Sequence, residues 1–431
     1  MKICLASLHP RRLSGQIESL TALGRELARR GHQTRLVTAF DEDLLHQDMT
    51  GSVRTEAGAS AAGKLACMVK SAGRLAQMGA WADVIHLNLP TPAFSLLADL
   101  LRLRLRGGPP IVVGYEAQLA EVSQLFRGDY LRRAPRFYLP LLLANNRLWG
   151  RLAAYRCARY VVASEVQRTE LQSLGVACER LATIPNLIDT EKLRRLEKAQ
   201  ARRELFGTAD VGPLVGWCGH YHDVKGLDTL LRAFGLLRAE RPALRLALAW
   251  SGIGDERPVE AQLRALGLSH RVIRLGRVAV GPYLSALDAA VLPYRLTMGQ
   301  GAFPNMVLEA MAVGAPLIAS DLPMLREILT HGSTALLSKP DDAPALAASI
   351  ARLLDEPDTA AAMVQNQRSL MAGPLSSLRL ADRYERLYED VLAEQVTLGS
   401  RRSTPPSTLR RNSVRASASD TAPATGSRGA S

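Results

Sequence analysis

The chain has 431 residues, of which 47% are hydrophobic, so it is long enough for two domains that each bury a full core. No apolar run approaches the roughly 18–20 residues that a membrane span needs, which argues against an integral membrane protein. The formal net charge of +13 either favours anionic partners such as nucleotide phosphates and acidic lipid or reflects an arginine-rich composition throughout.

The cysteines indicate a reducing compartment. They are five in number, scattered along the chain and never spaced as C-x-x-C, which argues against a disulfide framework or a zinc site. The apolar run after Lys2 is also too short for the core of a signal peptide. We therefore expect a cytoplasmic protein in which most cysteines are small core residues.

The first part of the chain alternates predicted strands and helices. Apolar residues at three- and four-residue spacing predict a helix over Gln16–Arg30, which Gly31 caps, and Ser164 is a natural N-cap for a later helix. The predicted strands are short apolar segments: Lys2–Ser7, Thr34–Ala39, Asp83–Leu87, Ile111–Gly114 and Tyr160–Ala163. Such alternation predicts right-handed βαβ units and a parallel sheet covered on both faces.

A second series of the same kind follows a polar, charged stretch. It contains a predicted helix over Leu227–Arg238 and six predicted strands, which are Pro213–Cys218, Leu244–Trp250, Val272–Leu275, Ala289–Leu292, Pro316–Ala319 and Ala335–Leu337. We therefore predict two doubly wound α/β domains joined near residues 186–210. Ligands of such sheets bind at the carboxyl ends of the strands, so the cleft between the domains is the expected site.

The end of the chain is predicted to be a helix followed by a tail. Leu378–Gln395 is amphipathic, whereas the residues beyond it are rich in Ser, Thr, Pro, Gly and Arg and should be disordered. The predicted organisation is a first Rossmann-like domain over 1–188, a second Rossmann-like domain over 189–376, a crossover helix over 377–396 and a basic tail over 397–431.

Two segments of the second half have the residues of a phosphate site. A glycine-containing loop enters a helix near Asn305, whose first backbone amides and positive dipole end favour a diphosphate. Glu309 lies one turn further on, where its two oxygens could accept from a ribose diol or simply face solvent. The other segment ends a strand at Gly219 and His220 and opens a helix at Lys225, a residue type that binds phosphate as a point charge.

Together these segments resemble glycosyltransferase family 4, the large retaining family with the GT-B fold. The resemblance runs from Met1 to about residue 395. It rests on landmarks in the family's order, namely Leu13-Ser14-Gly15, Arg30-Gly31-His32, Asp83-Val84-Ile85-His86, Ile184-Pro185-Asn186, Lys225-Gly226, Ser251-Gly252-Ile253-Gly254, Val291-Leu292-Pro293, Phe303-Pro304-Asn305 and Glu309-Ala310-Met311-Ala312.

The resemblance implies that the first domain binds the acceptor, that the second domain faces it and binds the donor, and that the C-terminal helix returns to the first domain. It also implies a metal-independent sugar transfer from a nucleoside-diphosphate sugar. This donor is a co-substrate, and no cofactor is expected. The acceptor would be a glycan, a lipid-linked sugar or a small molecule. The residues implied in donor binding or catalysis are Gly15, Gly219, His220, Lys225, Leu275, Arg277, Val278, Gly301, Phe303, Pro304, Asn305 and Glu309.

Three positions depart from the family pattern. Gly301 stands where the family usually has a first glutamate, which normally meets the donor sugar, and His220 stands where an arginine is common. Near the acceptor, where the family often has a histidine, the candidates are Glu116 and His86. These departures keep a second function open, a catalytically weak relative that binds sugar nucleotides as a partner subunit.

A basic segment of the first half offers a candidate membrane contact. Leu125–Arg156 interleaves aromatic residues with seven arginines against one aspartate, a composition that suits reversible binding to anionic lipid on the inner face of the cell membrane. Solvated arginines on surface helices are the alternative explanation. Nucleic-acid binding is not expected, because no nucleic-acid module is recognisable.

Overall fold

The computed structural model describes residues 1–7, 15–38, 73–89, 108–115, 130–144, 157–296 and 303–403, together with Val69 and Leu148. Met1–Leu392 form one compact unit and Ala393–Ser431 form a second. The described part of the first unit is built on two parallel sheets. We call the sheet β1–β6 with its helices the first lobe, and the sheet β7–β12 with its helices the second lobe.

The first sheet has the strand order β2-β1-β3-β4-β5-β6, and each described pairing in it is parallel. Its central strands are buried on both faces, as a doubly wound sheet requires. The strands are β1 Lys2–Ser7, β2 Gln33–Val37, β3 Val84–Leu89, β4 Ile111–Tyr115, β5 Arg159–Val162 and β6 Leu181–Thr183.

The second sheet has the order β12-β11-β10-β7-β8-β9 and is parallel in every described pairing. With the first sheet it confirms the predicted α/β architecture of two doubly wound parallel sheets. The strands are β7 Leu214–Tyr221, β8 Arg245–Gly254, β9 Val272–Leu275, β10 Ala289–Leu292, β11 Leu317–Ser320 and β12 Leu336–Ser338.

Helices flank both sheets. In the first lobe they are α1 Gly15–Arg29, α2 Tyr130–Arg133, α3 Pro135–Ala144 and α4 Glu165–Ser173. Helices α1 and α4 pack against the first sheet, whereas α2 and α3 pack against Val224 and Leu296 of the second lobe. In the second lobe and beyond the helices are α5 Lys198–Phe206, α6 Leu227–Leu237, α7 Arg257–Ala265, α8 Val280–Ala286, α9 Asn305–Val313, α10 Ala343–Asp355, α11 Pro357–Ala372 and α12 Ser377–Ser403.

The predicted helix caps are confirmed at both places where the sequence indicated them. Gly31 follows α1 with a φ of 89°, a left-handed conformation that costs glycine little. The Ser164 side chain accepts from the Gln167 amide at the start of α4. Helix α5 lies inside the stretch that was predicted only as a polar connection, because its single buried residue, Ala201, leaves no apolar stripe to recognise.

The C-terminal helix returns to the first lobe, as the family resemblance implied. Leu380, Tyr384 and Tyr388 of α12 pack in one hydrophobic cluster with Ile3 and Leu5 of β1. Polar contacts support this docking at its edge, where Glu385 pairs with both Arg30 and His32. No helix of the described ranges is long and apolar enough to cross a membrane.

Candidate functional site

The two lobes meet at the start of helix α9. The Asn305 side chain donates to the Gly15 carbonyl oxygen over 3.0 Å, and a Cβ placed at Gly15 would lie only 3.2 Å from the Asn305 side-chain nitrogen. The Asn186 side chain reaches both Asn305 and the Phe303 carbonyl at 3.4 Å. Glycine at position 15 therefore permits the close approach of the first lobe to this helix.

Helix α9 begins where the sequence analysis expected it. Pro304 occupies the cap position and Phe303 is buried in the core of the second lobe, so the chain entering the helix is firmly anchored. No side chain caps α9, and amides in the first turn of a helix have no partner within it. This end of α9 is therefore suited to an anion.

Lys225 lies on a short turn, which we call the lysine turn, formed by Asp223–Gly226. Its ammonium stands 4.3 Å from the centroid of the Tyr294 ring, and its stem passes Gly219, where a Cβ would lie 3.9 Å from the lysine Cδ. Burial lowers the pKa of Lys225 to about 8. A half-buried cation held over an aromatic ring is a strong electrostatic partner for a phosphate.

Two carboxyl groups, one from each lobe, face the same region. Burial, with a smaller contribution from the nearby charge of Glu18, raises the pKa of Glu309 to about 8. Burial likewise raises the pKa of Glu18 to about 6, although a hydrogen bond with Asn305 opposes this shift. Sequence analysis identified Glu309 and missed Glu18, which stands one turn after Gly15 on the same face of α1.

Cys218 lies among these groups at the end of β7. Burial raises the pKa of its thiol to about 12, with a further contribution from the charge of Glu309 that Lys225 opposes. The thiol is therefore kept protonated and unreactive at neutral pH. Its place among Glu18, Lys225 and Glu309 shows that these three charges are close in space, although they come from three separate elements.

The ends of three adjacent strands form the other side of the site. His220 at the end of β7 hydrogen-bonds the Ser251 hydroxyl on β8, and Arg277 after β9 donates to the Ser251 carbonyl oxygen over 3.0 Å. Leu275 and Val278, at the end of β9 and just after it, are partly buried against the core of the second lobe. The structure thus brings together the residues that the resemblance implied for base and phosphate contacts, and their roles stay predictions.

The acceptor-side candidates are not equally placed. His86 lies on β3 with 1% of its surface exposed, and its Nδ1 is 2.6 Å from the Tyr388 hydroxyl of α12. Burial lowers its pKa to about 4. The structure thus places His86 in the core under the returning helix rather than on the cleft surface. Glu116 and Gly301 lie outside the described residues.

The described residues show no cluster of three or more His, Cys, Asp or Glu side chains placed to hold a metal ion. The arrangement that they do show consists of a half-buried lysine, an uncapped helix N-terminus and a glutamate one turn inside it. These groups stand at the carboxyl ends of the second sheet and face Gly15 of the first lobe. Such a site can bind a diphosphate and a neighbouring diol.

Comparison with known proteins identifies the class of this fold. Residues 13–192 match the model of Glycosyltransferase Family 4, and residues 212–356 match that of Glycosyl transferases group 1. A solved structure, Anabaena HepE in complex with UDP-glucose, superposes with a TM-score of 0.68 at 19% identity over 92% of this chain and 100% of that one. The protein therefore has the GT-B fold of glycosyltransferases.

The curated relatives agree with this class. The chain is 35% identical to the D-inositol 3-phosphate glycosyltransferase of Thermobispora bispora over 43% of its own length and 45% of that protein. It is 27% identical to the phosphatidyl-myo-inositol mannosyltransferase of Mycobacterium leprae over 63% of its own length and 64% of that protein. The matches thus span about half to two thirds of these relatives. The chain thus has the GT-B fold and is similar to family 4 glycosyltransferases.

Proposed function

We propose that this protein is a retaining glycosyltransferase that moves a sugar from a nucleoside-diphosphate sugar to an acceptor hydroxyl. One observation carries the proposal. Lys225, the start of α9 and Glu309 converge at the carboxyl ends of one sheet, and Gly15 of the facing lobe closes on them. A protein without a diphosphate-bearing ligand has no need of this combination.

The site supplies positive charge where the reaction develops negative charge. When the bond between the sugar C1 and the diphosphate oxygen breaks, the electron pair stays on the leaving diphosphate. The Lys225 ammonium and the first amides of α9 would stabilise that charge. In a front-face displacement the acceptor oxygen bonds to C1 from the side that the diphosphate leaves, and its proton passes to the leaving phosphate oxygen. No protein base is needed for this step.

For the acceptor we propose only chemical classes, and for the nucleobase of the donor we propose only which one to test first. The acceptor is a glycan, a lipid-linked sugar or a small molecule, and the D-inositol 3-phosphate and phosphatidyl-myo-inositol enzymes named above fit the last two classes. Uracil is the first base to test, because the matching HepE structure holds UDP-glucose. His220, Arg277 and Ser251 are the groups proposed to meet the donor next to Lys225.

We also propose that the protein docks reversibly on anionic membrane. Within the basic segment, helix α3 exposes two leucines one turn apart, Leu139 at 50% and Leu143 at 61%, and Leu148 is 64% exposed. The neighbouring Arg133 side chain is 41% exposed. Apolar side chains beside arginines suit the headgroup region of an acidic bilayer, where each cation contributes about 1 kcal/mol.

A thermal-shift titration tests the donor site. UDP, GDP, ADP and dTDP are each titrated against the wild type, Lys225→Ala, Glu309→Ala and a control, Lys2→Ala, whose side chain is exposed on β1. A nucleotide at 100 times its dissociation constant stabilises the fold by about 2.7 kcal/mol. We expect one nucleotide to stabilise the wild type and the control, and both site variants to lose most of that shift.

The same titration separates the proposal from its alternatives. A wild type that none of the four nucleotides stabilises at millimolar concentration contradicts a nucleotide-sugar site. Binding that is equal in wild type and Lys225→Ala contradicts the assignment of the diphosphate to the lysine turn. If a nucleotide binds but the matching nucleotide sugars are neither hydrolysed nor transferred, the protein is a sugar-nucleotide-binding subunit.

A further inference from the structure

A guanidinium group is fully buried next to the donor site. Arg295 follows β10, its side chain is 0% exposed, and all three of its nitrogens donate hydrogen bonds to carboxylates. Nε contacts Asp341 at 2.5 Å, Nη1 contacts Asp223 at 3.0 Å, and Nη2 contacts Asp228. Burial alone would lower the pKa of Arg295, but the hydrogen bond to Asp228 and the three negative charges raise it overall.

This network is balanced in charge. Two further arginines reach its carboxylates from the periphery, Arg133 at 3.6 Å from Asp341 and Arg232 at 3.7 Å from Asp228. Three cations therefore face three anions, as the burial of charged groups requires. None of the six side chains belongs to the groups proposed for sugar transfer, so the network must serve a different purpose.

The network holds the lysine turn in place through hydrogen bonds to its backbone. The Arg295 amide donates to the Val224 carbonyl oxygen over 2.9 Å, and the same residue's Nη1 also donates to the Asp223 carbonyl oxygen. Gly226 closes the turn with a φ of 63°, and a Cβ there would lie 1.8 Å from the Pro293 carbonyl oxygen. Three consecutive residues, 293–295, thus hold the four residues of the turn from one side.

A residue of the first lobe also holds the lysine turn, through the side chain of Asp223. Tyr138 of α3 is fully buried, and its hydroxyl donates to Asp223 Oδ2 over 2.7 Å. Asp223 Oδ1 is the atom that accepts from Arg295, so the two lobes hold one oxygen each of the same carboxylate. The Tyr130 ring lies 5.5 Å from the Tyr138 ring, and Val224 of the lysine turn packs in the same cluster.

We propose that Tyr138 is a positioning residue for Lys225, acting through Asp223 and the buried Arg295, so that the first lobe sets the affinity of the second lobe for a diphosphate. The proposal rests on the proposed function, because it takes Lys225 as the diphosphate-binding residue. Without the tyrosine hydroxyl the Asp223 carboxylate keeps only its second-lobe partners. The lysine turn then loosens and the ammonium is held less firmly against the phosphates.

The pair Tyr138→Phe and Tyr130→Phe tests this coupling. Both variants remove one hydroxyl from the same buried ring pair, but only Tyr138 is bonded to Asp223. Calorimetry measures the dissociation constant of the nucleoside diphosphate that best stabilises the wild type, or of UDP if several do. We expect Tyr138→Phe to raise this constant about three- to tenfold and Tyr130→Phe to leave it unchanged.

A double-variant cycle shows whether the effect passes through the lysine. In a Lys225→Ala background, Tyr138→Phe should change the dissociation constant by less than about 1.5-fold, because its target is already gone. An equal loss in both backgrounds identifies a general structural role and overturns the proposal. If Tyr138→Phe does not fold, Asp223→Asn replaces it in the same cycle, since it keeps the shape of the side chain.

A second arm needs no nucleotide and therefore separates this proposal from the proposed function. Lys225 has a pKa of about 8, so at that pH much of its amine can react with acetic anhydride. Mass spectrometry compares its acetylation rate with that of exposed Lys2 on the same molecules. Faster acetylation of Lys225 in Tyr138→Phe but not in Tyr130→Phe supports the coupling even if no nucleotide binds. An unchanged or slower rate overturns it.

Discussion

Glu309 and Glu18 present two carboxyl groups in one half-buried region, and both hold protons more tightly than an exposed glutamate does. Between the ordinary value of 4.5 and about 8, the folded protein therefore binds more protons at Glu309 than the unfolded chain does. The stability that this site contributes is present at low pH and is lost as pH rises across that window.

Replacing Glu309 by glutamine should flatten this part of the pH profile. The amide keeps the shape of the protonated carboxyl and cannot ionise. Each pKa unit corresponds to about 1.4 kcal/mol, and with solvent screening we expect Glu309→Gln to gain about 2 kcal/mol over wild type between about pH 5 and pH 8.

Melting temperatures across this pH range measure the effect without any ligand. The control is Glu389→Gln, which removes an exposed carboxylate from α12 and should leave the wild-type slope intact. Parallel slopes for Glu309→Gln and wild type would show that Glu309 is ionised in the folded protein at all these pH values, contrary to the prediction.

Single residues show clearly where sequence reasoning succeeds and where it stops. Lys225, Asn305 and Glu309 stand at fixed distances from a helix start, so a local pattern is enough to find them. Glu18 and Arg295 act on residues far away in the sequence. Arg295 contacts Asp223 and Asp341, which lie 72 and 46 positions from it, and no periodicity marks such a pair.

At the scale of elements, helix α12 closes the core of the first lobe. One of its faces is buried against β1 and α1, whereas Arg383, Arg386 and Glu389 are exposed. Fully burying one large apolar side chain contributes roughly 1.5–3 kcal/mol, so several such residues on one helix amount to much of a domain's stability. The crossover helix is thus a structural part of the lobe to which it returns.

Two leucines two positions apart on α12 test this role. Leu380 is 1% exposed and Leu378 is 64% exposed. Leu380→Ala leaves a cavity in the core and should destabilise the protein by about 2–5 kcal/mol, whereas Leu378→Ala should stay within about 0.5 kcal/mol of wild type. Urea unfolding monitored by tryptophan fluorescence and circular dichroism measures both. Equal stability of the two variants would mean that α12 does not pack as described.

At the scale of the whole molecule, the proposed membrane docking depends on the exposed leucines of α3 and the neighbouring exposed arginines of α2. Co-sedimentation measures the fraction of protein that binds to vesicles of phosphatidylcholine alone or of phosphatidylcholine with about a third of phosphatidylglycerol. We expect binding only to the acidic vesicles, and a loss of most of it in the double variant Leu139→Glu, Leu143→Glu.

The matched control for this experiment is Leu236→Glu. Leu236 is 55% exposed on α6 of the second lobe, so it adds a charge at a similar apolar surface away from the basic segment. The control should bind acidic vesicles as wild type does. Equal binding to neutral and acidic vesicles, or equal losses in both variants, would exclude docking through α3.

The overall architecture is more predictable than its details because it follows from repetition. Alternating apolar segments and helices leave few arrangements besides parallel sheets, and both sheets have this form. The proposed domain limits are a weaker inference. Helix α5 lies near the predicted junction, and α12 packs on the first lobe although it follows the second lobe in the sequence. Neither arrangement can be predicted from the composition of the chain.

The return of α12 to β1 has a consequence for synthesis on the ribosome. The strands of the first sheet are complete at Thr183, but the apolar face that includes Ile3 and Leu5, which α1 covers in part, is fully covered only when Leu380 and Tyr388 emerge. About 200 residues separate these events, a delay of roughly 10–40 s at 5–20 residues per second. The second sheet is translated wholly within that interval, so we expect the second lobe to complete its fold before the first lobe does. Until α12 is synthesised, the first lobe of the nascent chain exposes a hydrophobic surface.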